Sequence, residues 1–148
     1  MIRVRMIDHV VLRTDNVGGM VDFYSRVLGC EVERTMPPET GLIQLRAGAS
    51  LIDIVAIDSS LGRAGGGPPT RTENTMDHFC LQIESISEEK LLDWLQSVGV
   101  EHSEFAVRYG AEGFGPSVYV KDPDGNTVEL RCESPTRRQT PSQSATCG

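Results

Sequence analysis

The pattern of apolar and polar positions predicts one order of strands and helices that occurs twice along the chain. In the first half, residues 7–13 read as a strand, and apolar residues at helical spacing indicate a helix over residues 19–28. Gly29 follows that helix as its C-cap. The three strands predicted next lie at residues 30–34, 41–48 and 50–58. The first half therefore has the order βαβββ.

The second half repeats this order. A strand at residues 76–83 leads to a helix over residues 87–98. The strands predicted after it lie at residues 101–108, 116–121 and 126–133, and the turn sequence DPDGN joins the last two. His9 and His78 are 69 residues apart, and the glycines that end the two helices are 70 apart. Such agreement indicates an internal repeat.

The repeat predicts an α+β fold built from two βαβββ modules, at residues 5–58 and 75–133. Neither module alone is large enough to bury both faces of its sheet, whereas two modules packed together would be. Residues 59–74 are rich in Gly, Pro and polar side chains, so we expect a linker or a mobile flap there. Residues 134–148 lack large apolar side chains and are predicted to be a disordered tail.

Composition narrows the classes of partner. The formal net charge of −7 disfavours nucleic acid as a partner, because such a surface repels phosphate backbones. No apolar run has the length of a membrane span, and residues 1–11 lack the apolar segment of a signal peptide. We therefore expect a cytoplasmic protein. No two of the four cysteines form a C-x-x-C pair, and Cys30 and Cys80 are interpreted as small core residues.

Strand alternation places four chemically active side chains away from the helices. His9 and His78 lie on the strand face opposite the wholly apolar one. Asp53 and Glu129 each stand in mid-strand between two aliphatic residues, where a carboxylate needs a partner. Two histidines and two carboxylates at matching places of a repeat predict a site for a divalent metal. These donors suit Zn, Ni, Fe, Mn or Co and do not choose among them.

Further residues are candidates for binding a substrate. The DPDGN hairpin sets Tyr119 opposite Glu129 and Ser117 on the same face, although Tyr119 is equally compatible with simple cross-strand packing. The glycine-rich residues 108–115 are predicted to form a flexible lip over the metal. Arg108 and Tyr109 belong to this stretch and are candidates to touch the substrate.

Four stretches carry a resemblance to a known family: IDHVVL, FYSRVLGCEV, MDHFCLQI and GFGPSVYVKDPDGNTVELR. They resemble the vicinal oxygen chelate superfamily, which includes glyoxalase I, bleomycin and fosfomycin resistance proteins and extradiol dioxygenases. The resemblance covers residues 5–133. It implies a cupped mixed sheet, with helices on its outer face, around a metal held by His9, His78 and Glu129. A further carboxylate ligand falls at Asp53, where Glu is usual, so direct coordination and action through water both stay open.

The resemblance also implies an activity. We expect a metal-dependent lyase or isomerase of the glyoxalase type, acting on a small, possibly thiol-conjugated substrate that binds through two neighbouring oxygens. Glu129 or Asp53 would move a proton, while Ser117 and Tyr119 would orient the substrate. We expect a homodimer, with the site shared across two chains or contained within one. The alternatives are a thiol transferase of the fosfomycin resistance type, an extradiol dioxygenase, and a non-catalytic small-molecule binding protein.

Overall fold

The structure, a computed structural model, describes residues 3–67 and 76–133, which contain two four-stranded sheets. Sheet A consists of β1 (His9–Thr14), β2 (Glu31–Thr35), β3 (Leu42–Ala47) and β4 (Ser50–Ala56). Sheet B consists of β5 (Phe79–Ile83), β6 (Ala106–Gly110), β7 (Gly113–Lys121) and β8 (Thr127–Cys132). Their strand orders are β1-β4-β3-β2 and β5-β8-β7-β6. In each sheet the first strand runs parallel to the last, and the other pairs are antiparallel. The predicted α+β class is confirmed.

Helices connect the strands. Helix α1 (Val17–Asp22) continues into a π-helical turn (Phe23–Val27), α2 spans Ser60–Arg63, and α3 spans Glu88–Ser97. The predicted helices at 19–28 and 87–98 thus correspond to α1 with its π turn and to α3. Gly29 and Gly99 follow them at φ of 75° and 71°, a left-handed backbone that glycine adopts without strain.

Two sequence predictions differ from the structure. The strand predicted from residue 101 begins only at Ala106, and most of the predicted lip at 108–115 is a regular β6–β7 hairpin in which Arg108 pairs with Gly115. The hairpin is ordered because the buried Arg131 guanidinium donates to the carbonyl oxygens of Arg108 (2.9 Å) and Gly113. The sequence showed the glycines but not the arginine that packs against them.

The predicted linker contains structure where it is described. Its first residues form α2, and the guanidinium of Arg13 donates to the carbonyl oxygens of Gly62, Gly65, Gly66 and Gly67. Residues 68–75 and the predicted tail at 134–148 lie outside the described residues. The module boundaries stay a prediction.

One hydrophobic core joins the two halves. It is formed by the helix-facing sides of both sheets together with α1, its π turn and α3. Its members with no exposed surface are Met20, Tyr24, Leu45, Ile54, Leu95, Val118 and Val128. The alternation predicted for β1 is confirmed, since Leu12 is buried and His9 is exposed. Among the described residues, no helix is long and apolar enough to cross a membrane.

The contacts between the halves come from their helix-facing sides. The ring of Tyr24, in the π turn, stacks on Phe79 of β5 with centroids 6.4 Å apart, and its hydroxyl donates to Asp122 (2.8 Å). Trp94 of α3 donates from its indole Nε1 to the Val27 carbonyl oxygen (3.0 Å). Packing these sides together within one chain leaves the opposite, polar side of each sheet free of this core.

The Tyr24–Asp122 hydrogen bond allows a test of this packing. Tyr24→Phe removes the hydroxyl that a buried carboxylate accepts from, so we expect a loss of about 1–3 kcal/mol in the free energy of unfolding, measured by urea denaturation. Tyr109→Phe is the matched control, because Tyr109 is 75% exposed and should change stability by less than about 0.5 kcal/mol. Equal effects of the two substitutions would contradict this account of the packing.

Candidate metal centre

His78, Asp77 and Glu129 form one half of the candidate site, on sheet B. His78 lies immediately before β5, and its ring Nδ1 is 2.6 Å from Asp77 Oδ2. Because a carboxylate only accepts hydrogen bonds, this contact puts a proton on Nδ1. The other ring nitrogen, Nε2, is 3.3 Å from Glu129 Oε2, and Glu129 is buried in the middle of β8. The parallel pairing of β5 with β8 brings the two side chains together.

His9, Asp8 and Asp53 repeat this arrangement on sheet A. His9 Nδ1 is 2.8 Å from Asp8 Oδ1. The hydrogen bond to Asp8 raises the pKa of His9 above its usual value, and the negative charge of Asp53 adds to the rise. Asp53 is buried and accepts from Gln44 Nε2 at 3.2 and 3.1 Å. Each sheet thus carries an Asp–His pair near a buried carboxylate.

The chemistry of the His78 pair fits a metal ion. With its proton on Nδ1, a neutral ring presents the Nε2 lone pair to the negative oxygen of Glu129, which is repulsive unless a proton or a cation lies between them. Two ligands of a tetrahedral ion, each about 2.1 Å from it, stand roughly 3.4 Å apart. The observed separation of 3.3 Å is therefore compatible with a shared ion. An acidic partner on Nδ1 is also the usual arrangement around a metal-binding histidine.

A single chain does not assemble the four predicted ligands in one place. Within the described parts of the chain, no three His, Cys, Asp or Glu side chains are close enough together to hold a metal ion. Of the two arrangements that the sequence left open, a site contained within one chain is therefore not seen among the described residues. The structure places the predicted ligands in two separate groups, called half-sites below, and the ligand set itself stays a prediction.

Three predicted substrate residues form a contiguous group on sheet B. The register places Tyr119 opposite Glu129, as predicted, and its ring meets that of His78 edge-on with centroids 5.3 Å apart. The Arg108 guanidinium lies over the same Tyr119 ring, 4.2 Å from the ring centroid. Arg108 Nη1 also donates to Ser117 Oγ (3.0 Å), and Ser117 has no exposed surface. Ser117 is therefore covered and would reach a substrate only through Arg108.

Tyr109, the fourth predicted substrate residue, lies apart from this group. It pairs with Phe114 in the β6–β7 hairpin, and the two rings meet edge-on, 5.1 Å between centroids. Neighbouring strand residues point to opposite faces, so Tyr109 lies on the face opposite Arg108. It does not join the group around Tyr119 in this chain, and its contact with the substrate stays a prediction.

Two residues of the half-sites were missed by sequence reasoning. Cys80 was interpreted as a core residue, but it is exposed and directly beside Glu129 in the β5–β8 register. Burial of part of the thiol, together with the charge of Glu129, raises its pKa to about 11. Gln44, the partner of Asp53, was not considered. Strand alternation contains the signal for Cys80, which shares the face of His78. The tight β3–β4 turn contains the signal for Gln44, because it sets Gln44 opposite Asp53.

Comparisons with known proteins agree with this architecture. The family model described as the glyoxalase/bleomycin resistance protein/dioxygenase superfamily matches residues 6–130. An integron cassette protein from the mobile metagenome of V. cholerae is 25% identical, covering 90% of this chain and 99% of its own, with a TM-score of 0.68. A lactoylglutathione lyase from Agrobacterium tumefaciens is 22% identical, covering 86% and 92%, with a TM-score of 0.61. No curated protein matches the chain.

The Asp–His pairs make a prediction about ring protonation. In the neutral state, His9 and His78 should both carry their proton on Nδ1, which ring ¹⁵N chemical shifts detect. Asp77→Ala should release this preference at His78 and leave His9 unchanged, whereas Asp8→Ala should do the reverse. A neutral His78 that carries its proton on Nε2 in the unsubstituted protein would contradict the geometry.

Proposed function

The chain belongs to the glyoxalase/bleomycin resistance protein/dioxygenase superfamily, and we propose that it is a metal-dependent lyase or isomerase of the glyoxalase type. Its substrate would be a small molecule that binds through two neighbouring oxygens. The observation that supports this most is the Asp–His pair present in both halves, together with the buried Glu129 carboxylate 3.3 Å from Nε2 of His78. A cation bound beside the buried carboxylates would compensate the cost of burying their charge.

We propose that the complete centre forms between two chains. The helix-facing sides of the two halves already pack on each other within the chain, so the half-sites are left apart. His9 begins β1, and His78 immediately precedes β5. Both strands are edge strands of their sheets. The unpaired edge of such a strand favours pairing with another copy. His9 and Asp53 of one chain would then meet His78 and Glu129 of its partner.

The residues of such a centre would have separate roles. A bound divalent ion would supply Lewis-acid polarisation of the two substrate oxygens. Glu129 contacts His78 and would act mainly in holding the ion, whereas Asp53, oriented by Gln44, is the better placed of the two carboxylates to move a proton. Asp53 would take the proton from the carbon bearing the hydroxyl group and return it to the neighbouring carbon. Tyr119 would limit the position of the substrate beside His78.

Metal analysis tests the proposed centre. Purified protein should contain about one divalent ion per chain and have the mass of a dimer in solution. His78→Ala and His9→Ala should each weaken metal binding by a factor of at least about ten to one hundred. His102→Ala is the matched control, because this exposed histidine lies outside both half-sites and should leave the metal content unchanged. Equal metal contents in all three variants would refute the ligand set.

Turnover tests the proposed reaction separately. Metal-loaded protein should convert the hemithioacetal of methylglyoxal and glutathione, or another α-hydroxycarbonyl compound, into its isomerised product. Asp53→Asn should lower kcat by a factor of about one hundred or more and change metal content less than His78→Ala does. A fully metal-loaded protein that turns over no α-hydroxycarbonyl compound would refute the proposed reaction. Oxygen consumption with catechols would then identify the dioxygenase alternative.

A further inference from the structure

A fixed positive charge lies beside the sheet B half-site. The guanidinium of Arg108 has three contacts: it lies over the Tyr119 ring, and its Nη1 donates to the Ser117 hydroxyl at 3.0 Å and to the Ser117 carbonyl oxygen at 2.8 Å. Tyr119 in turn contacts the His78 ring. Arg108 is therefore one aromatic ring away from the candidate metal ligand, on the same face of the sheet.

The hairpin that carries Arg108 is built to hold this position. Arg131, only 7% exposed, donates to the Arg108 carbonyl oxygen at 2.9 Å and fills the space over two glycines of the hairpin. A Cβ atom at Gly110 would come within 3.0 Å of the Arg131 guanidinium, and one at Gly115 within 3.1 Å. Arg131 thus acts as a positioning residue for Arg108 and adds a second positive charge behind it.

These charges are unusual for this chain. The protein has a formal net charge of −7, yet Arg108 and Arg131 both lie on the face that carries Glu129, and the Arg131 guanidinium contacts the Arg108 backbone. Glu112 is also close to this face, where its carboxylate accepts from Gln82 at 2.6 Å. A planar guanidinium that is stacked on a ring and already oriented loses little freedom when it binds an oxyanion. The arrangement suits recognition of a negatively charged group.

We propose that the substrate carries an anionic group, a phosphate or a carboxylate, which Arg108 binds next to the oxygens held at the metal. This inference rests on the proposed function for the neighbouring site, and it assigns the substrate class that the superfamily match leaves open. It also replaces Ser117 as the direct contact: Ser117 positions Arg108, and Arg108 touches the substrate.

A matched pair of ligands tests the proposal by calorimetry. Dihydroxyacetone and dihydroxyacetone phosphate offer the same two neighbouring oxygens and differ in the phosphate group. Metal-loaded protein should bind the phosphate compound at least about tenfold more tightly. Arg108→Gln should remove roughly ten- to one-hundredfold of this affinity, leaving the affinity for dihydroxyacetone and for the metal unchanged, and Arg108→Lys should restore part of it. Arg26→Gln, at an exposed residue paired with Asp22, is the control and should change nothing.

A second arm separates this inference from the proposed function. Methyl phosphate and acetate are titrated into metal-free protein, which shows which anion is preferred and does not depend on a metal. If the protein binds no metal but methyl phosphate or acetate binds and Arg108→Gln abolishes the binding, the proposed function fails and the anion site stands. If the two dihydroxyacetone compounds bind equally, or Arg108→Gln weakens both alike, the anion site is refuted while the metal centre stands.

Discussion

A histidine ring has two nitrogens, and in this protein a neighbouring aspartate engages one of them in each half of the chain. The Asp8–His9 and Asp77–His78 contacts, at 2.8 and 2.6 Å, commit Nδ1 to donating. Nε2 is then left with a lone pair, and at His78 that lone pair faces a buried carboxylate. A proton or a cation between the two groups relieves this conflict, and the proposed centre assigns that place to a metal ion. The functional proposal depends on this local electrostatic constraint.

The duplication explains why the half-sites are separate. Each βαβββ order buries one face of its sheet under a helix, and the two helix-covered faces share one core around Tyr24. That core uses the apolar surfaces within the chain and leaves the faces with the candidate ligands outside it. In the proposed dimer, a twofold axis would set each half-site of one chain against the other half-site of its partner. One face of each sheet would then serve stability within a chain, and the opposite face would serve catalysis between chains.

Much of the fold and of the candidate site could be predicted from the sequence, because strand alternation and helix capping depend on residues close together in the chain. Alternation along β1 and β8 gave the correct faces for His9 and Glu129, and glycines ended both helices as expected. The failures came from contacts between residues far apart in sequence. Arg131 orders a hairpin that its glycines alone made look flexible, and Arg108 covers a serine that the register alone made look accessible. The periodicity of apolar and polar residues does not indicate which groups the end of a long side chain, such as an arginine, contacts.

Cys80 shows a different limit. Its position on the face of His78 followed from alternation, but its small size favoured a core interpretation, and only the edge position of β5 exposes it. Prediction of the assembly has the same limit. A repeat within one chain predicts a pair of half-sites, but it does not decide whether the two halves of one chain or of two chains combine.

Complementation between two inactive variants measures that assembly most directly. His9→Ala chains and His78→Ala chains are each predicted to bind metal poorly when alone. After unfolding and refolding as a mixture, heterodimers should regain one intact centre, from His9 of one chain and His78 of the other, so metal binding should return to about a quarter of the level of the unsubstituted protein. No recovery in mixed dimers shown to have formed would contradict a centre shared between chains.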